Sequence, residues 1–153
     1  MSYLYAIPLV LSVICAYTDL RWNLIYDKVT LPMALLGIIS SAATGRIAIA
    51  LLGAAVGLSI FLVGILRGQA GAGDAKMAGA LGIWLGFGVL LVIIIAFVMG
   101  LVWNAVRTQW ASQIQEYGTV PKALPFGVCL AAGAWVWITL LSCQHSFMTT
   151  WHL

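Results

Sequence analysis

The stretch MAGALGIWLGFGVLLVIIIAFVMGLVWNAV, residues 77–106, decides the fold. It contains no charged residue. As a single helix its 30 residues would rise about 45 Å, against a hydrocarbon core of about 30 Å. One helix of that length is too long for an untilted span. Two short helices turning near Gly86-Phe87-Gly88 are the other solution, and charge chooses between them. Further apolar stretches cover residues 3–18, 30–45, 47–66 and 123–143. With a turn at 86–88 the chain has six spans. Arg21, Lys28, Arg67, Lys76, Arg107 and Lys122 then share one side, and Arg46 stands alone on the other. Loops rich in Lys and Arg stay in the cytoplasm. A single span would move the 107–122 loop across and spoil the pattern. The expectation is an all-α polytopic membrane protein with six transmembrane helices, both termini outside and three cytoplasmic loops.

Composition agrees. Of 153 residues, 63% are hydrophobic and 7% charged, with a mean hydropathy of +1.09. Soluble domains carry roughly 25% charge. An ordinary soluble domain, a disordered chain and a nucleic-acid binder are excluded. The first apolar stretch has no Lys or Arg before it and no small-residue cleavage site after it, so it reads as a retained span. Cys15, Cys129 and Cys143 lie far apart, without a CxxC, and read as buried thiols.

Gly53, Gly57 and Gly64 fall on one helical face, and Gly82 and Gly86 repeat the spacing that lets membrane helices pack closely. Residues 107–122 carry Trp110, Ile114 and Tyr117 among polar groups and read as a short interfacial helix. The tail after Cys143, with His145 and His152, reads as disordered.

Four carboxylates remain, and an ionisable group at membrane depth is costly and usually functional. Asp19 closes the first span. Asp74 opens the fourth within Gly71-Ala72-Gly73-Asp74-Ala75-Lys76. Six spans put both at the cytoplasmic end of their helices. Structural roles compete: Asp74 as the N-cap of a helix beginning at Ala75, and Asp19 with Arg21 as a solvated corner. Asp27, beside Lys28, and Glu116 read as loop charges. Gly68, Gly71 and Gly73 allow close backbone approach next to Asp74. A phosphate loop fails, because neither Ser nor Thr follows Lys76 and no strand precedes it.

Two carboxylates across a small cavity suit aspartic-protease chemistry, in which one proton is shared. The ionised member takes a proton from attacking water while the protonated member donates to the peptide carbonyl oxygen. Helix dipoles would leave Asp74 ionised and the proton on Asp19, provided the first helix ends near Asp19. Lys76 and Arg21 each carry two readings, as partners of the acids or as snorkelling interfacial cations.

The segment Gly71-Ala72-Gly73-Asp74-Ala75-Lys76 resembles the GxGDxK motif of the type IV prepilin peptidases, a branch of the GxGD intramembrane aspartic proteases. Asp19-Leu20-Arg21, with Ile25 six residues after the acid, resembles that family's Asp-led segment, although Tyr26-Asp27 replaces the usual Pro-Asn. Pro125-Phe126-Gly127 resembles its Pro-aromatic-Gly element. The resemblance implies an aspartic endopeptidase that cuts the basic leader from prepilin or pseudopilin precursors at the cytoplasmic face of the inner membrane. It makes Asp19 and Asp74 the catalytic pair, with Gly71, Gly73, Lys76 and Arg21 as candidate substrate or loop residues. Its partners would be the lipid bilayer, the precursor and, indirectly, the pilus or secretion machinery, with no nucleic acid. No metal or cofactor is implied. Without a CxxC-bearing N-terminal segment, residues 1–153 look like one integral-membrane peptidase domain, a peptidase-only form lacking the zinc and methyltransferase domain. The competing expectations are a small proton-coupled transporter titrating Asp19 and Asp74, and a structural subunit packed through its glycine faces.

Overall fold

The computed structural model describes residues 3–22, 24–67, 70–113 and 126–150. All described elements are helical: α1 (Tyr3–Trp22), α2 (Asp27–Ala43), α3 (Ile47–Leu66), α4 (Ala72–Leu85), a single 3-10 turn at Gly86–Gly88, α5 (Val89–Gln113) and α6 (Phe126–Thr150).

The long apolar stretch is interrupted where length and charge require. Gly86 takes φ +58°, a left-handed backbone open to glycine at little cost, and the helix ends there. The chain then reverses. Gly53 of α3 lies against Gly82 and Gly86, and Gly57 lies against Ala78, so α4 runs antiparallel to α3. Phe97 of α5 stacks on Phe61 of α3, with ring centroids 6.3 Å apart, so α5 runs back along α3. α5 and α6 are antiparallel in turn: Gly88 meets Trp137, Gly133 meets Val92, and Gly100 meets Phe126. α2 lies parallel to α4. The Trp84 indole N–H donates to the Met33 carbonyl at 2.9 Å, and a Cβ on Gly37 would sit 2.8 Å from that same indole nitrogen.

α4 is the hub. Apart from Lys76, every residue from Ala75 to Leu85 is buried. A helix apolar on all sides belongs in a core, and its Ala and Gly residues let neighbours approach from several directions. The outer faces of the surrounding helices stay apolar, with Leu31, Leu35, Ile39, Leu62 and Leu101 all more than half exposed. So much exposed apolar surface does not suit water. Three helical stretches among the described residues are long and apolar enough to cross a membrane: Ile47–Leu66, Ala72–Gln109 and Phe126–Cys143. The chain is a helical membrane protein.

Three such stretches are fewer than the six expected from the sequence. α2 has 17 residues and opens with Asp27-Lys28, and α4, with 14, joins α5 within one of the three stretches. Three other expectations change. Cys15 and Cys129 are buried, but Cys143, read as a buried thiol, is exposed. α5 continues through Arg107 to Gln113, so the start of the expected interfacial helix belongs to α5, while Ile114 and Tyr117 lie outside the described residues. α6 continues to Thr150, so the chain after Cys143 is helical rather than a disordered tail; His152 lies outside the described residues. In both places hydropathy marks only the apolar part of a longer helix.

Candidate active site

One end of the bundle gathers the end of α1, the starts of α2, α4 and α6, and the link Leu24–Tyr26. Asp19 is in the last turn of α1, which runs on through Trp22. It is 7% exposed, and its Oδ2 accepts a hydrogen bond from the Gly127 backbone N–H at 2.8 Å. A buried carboxylate must find such donors, and the first turn of α6 has unpaired N–H groups to offer. Asp19 is therefore no solvated corner. A Cβ at position 127 would stand 2.5 Å from Asp19 Oδ2, so only glycine admits the carboxylate here.

Asp74 lies inside the first turn of α4. The helix begins at Ala72 with Gly71 as its N-cap, not at Ala75, so Asp74 is not the cap. Its carboxylate faces back toward the Gly71 backbone N–H, the reach-back of a third helical residue onto the cap. Asp19 and Asp74 lie within electrostatic reach of each other and line the same open cleft, of about 630 Å³. Ile25, Asp27, Gly71, Gly73 and Lys76 share its walls.

The structure changes the helix-dipole argument. Asp19 is near the C-terminal end of its own helix, but its carboxylate sits at the N-terminus of α6. Both acids thus face helix N-termini, and dipoles no longer assign the proton to either one.

Lys76 does not orient Asp74. Its Nζ contacts both oxygens of Asp27, at 2.7 and 2.9 Å. Helix geometry explains this, since residues two apart point to different sides. Asp27, read from sequence as a loop charge beside Lys28, is instead the first residue of α2 and part of the cleft wall. Arg21 lies over its neighbour Trp22, 5.5 Å from the ring centroid, and is not among the cleft residues. The donation from Gly127 to Asp19 is not evident from the sequence. Its signal was the Pro125-Phe126-Gly127 element, a glycine at a helix start with no local reason to be there. Among the described residues no cluster of His, Cys, Asp or Glu could hold a metal ion.

Residues 6–105, a stretch containing both acids, match the Type IV leader peptidase family. The chain is 37% identical over 128 residues to the prepilin leader peptidase/N-methyltransferase of Xanthomonas campestris pv. campestris. That alignment takes in 77% of this chain and 43% of the relative, so the chain spans less than half of the relative's length. No solved structure matches it. With the family matched from α1 into α5 and that relative sharing more than a third of the aligned residues, the chain belongs to the type IV leader peptidase family.

Proposed function

We propose that this protein is an aspartic endopeptidase that removes the basic leader peptide from type IV prepilin-like or pseudopilin precursors, with Asp19 and Asp74 as its catalytic pair. One observation carries the reading: two acids from helices far apart in sequence line a single open cleft at one end of the bundle. Family membership supplies the reaction class and the kind of substrate.

In this reading one carboxylate is ionised and takes a proton from water as it attacks the scissile carbonyl. The other is protonated and donates to the carbonyl oxygen. The pair titrates as a unit, so the rate should follow a bell-shaped pH profile. A transmembrane substrate must unwind to expose its backbone, since its peptide groups are otherwise satisfied within the helix. The cleft's extended backbone at Tyr26 and Gly71 is suited to lie beside such a segment.

The proposed topology has six spans, with the cleft facing the cytoplasm of the inner membrane and both described chain ends outside. The alternating direction of successive helices supports it. So does charge: Arg21, Lys28, Arg67, Lys76 and Arg107 all lie toward the cleft end, whereas Arg46 lies toward the other. The transporter reading gains no support. The interrupted helical run breaks at Gly86–Gly88, at the end remote from both acids.

The test is cleavage of a co-expressed prepilin-type precursor. Asp19→Asn and Asp74→Asn should each cut at less than about one-thousandth of the parent rate while still inserting in the membrane. A normal rate from either variant would overturn the assignment.

A further inference from the structure

Asp19 and Asp74 belong to helices that barely pack on each other, and something else must fix their separation. The link between α1 and α2 runs between them. Ile25 of that link is half-buried and touches both flanking backbones. A Cβ on Gly73, the residue before Asp74, would lie 3.1 Å from Ile25 Cβ. A Cβ on Gly127, the residue that donates to Asp19, would lie 3.0 Å from Ile25 Cδ1. The two ends of one side chain thus abut Gly73, which precedes Asp74, and Gly127, which donates to Asp19. Two residues on, Asp27 takes the bidentate contact from Lys76, which itself lies two residues after Asp74. That ion pair ties the first turn of α2 to the beginning of α4 and closes the link around Ile25.

We propose that Ile25 is the spacer that sets the distance between the Asp19 and Asp74 carboxylates, and that the Asp27–Lys76 ion pair holds it in register. All three are positioning residues. The proposal rests on the acid-pair reading of the site and extends it to residues outside the pair. A β-branched side chain suits the task because it is stiff at χ1. The ion pair is half-exposed, and such pairs are worth little to stability. Its loss should therefore disturb turnover more visibly than melting.

The experiment has two arms, both with the full chain in membranes. In the first, Asp19→Cys and Asp74→Cys are introduced together after Cys15, Cys129 and Cys143 are replaced by Ala. Bis-methanethiosulfonates of graded length then serve as a ruler. The parent background should crosslink best with one reagent length, and Ile25→Ala should shift or broaden that preference. An unchanged preference overturns the spacer. The second arm follows cleavage of a synthetic peptide with a basic leader ahead of an apolar helix, with both acids intact. Ile25→Ala should lower kcat about tenfold with KM within about twofold, since small misplacements of reacting groups cost rate steeply. Ile25→Val keeps the contact with Gly73 and loses only Cδ1, and should fall between. Asp27→Asn and Lys76→Met should each lower kcat by no more than about fivefold. The exchange Asp27→Lys with Lys76→Asp should recover most of that loss, and an exchange no better than the single variants overturns the role of the pair. Failure of the acid-pair reading looks different: Asp19→Asn and Asp74→Asn would cleave normally while the ruler still responded to Ile25→Ala.

Discussion

The seam between α3 and α4 and the cleft end of the same bundle both depend on glycine, for opposite reasons. In the seam, backbone meets backbone. A Cβ on Gly53 would lie 2.6 Å from the Gly86 carbonyl oxygen, and one on Gly57 would lie 2.6 Å from that of Ala78. Neither neighbour can rotate away. At the cleft, the atoms that a new Cβ would meet belong to side chains: Asp74 Oδ2 at Gly71, Ile25 at Gly73, and Asp19 with Ile25 at Gly127. Seam glycines close a gap between helices. Cleft glycines leave room for groups that must be placed. A substitution in the first set should therefore act on stability and one in the second on chemistry.

The sharpest way to break this contrast is Gly53→Ala. The two helices would have to part, and overpacking of this kind should cost about 3 kcal/mol, the upper part of the usual range, read as a fall in the thermal midpoint in detergent. An unchanged midpoint would mean that the seam is looser than described. Gly127→Ala should do the reverse. Its Cβ would displace the Asp19 carboxylate and press on Ile25, so kcat should fall about a hundredfold while the midpoint moves little. Equal losses of stability from both variants would erase the distinction. The smallest effect should come from Gly45→Ala. Gly45 has φ +69° with nothing within 4 Å of a new Cβ, so only backbone strain opposes the change. About 1 kcal/mol of stability and no activity should be lost.

Much of the seam is legible in the sequence. The break at Gly86 follows from comparing the length of residues 77–106 with the thickness of a bilayer. The spacing of Gly53 and Gly57 puts both on one face, and that face meets Gly82 and Gly86. These readings succeed because they depend on periodicity and length within a helix. The acids themselves also stand out, since so few charges interrupt the apolar chain. Their surroundings do not. Asp27 looks like a loop charge because Lys28 is next to it, yet its partner is 49 positions away. Asp19 looks like the end of a helix, yet its donor is 108 positions away. Contacts of that range depend on how six helices assemble, and no local pattern encodes them. Helix ends are hidden in the sequence for a simpler reason. Polar last turns, as in α5 and α6, carry no hydropathy signal although their backbone hydrogen bonding continues.

The brevity of α4 has a consequence for how solvent reaches the acids. Its 14 residues rise only about 21 Å, well short of the roughly 30 Å of acyl chains that a full-length crossing must match. In a six-span arrangement that deficit would have to be met beside α4. Lipid tails would have to thin there, or wetting would have to fill the difference. The proposed hydrolysis would consume a water molecule, and a truncated central helix would be a direct way to admit one into an otherwise greasy scaffold.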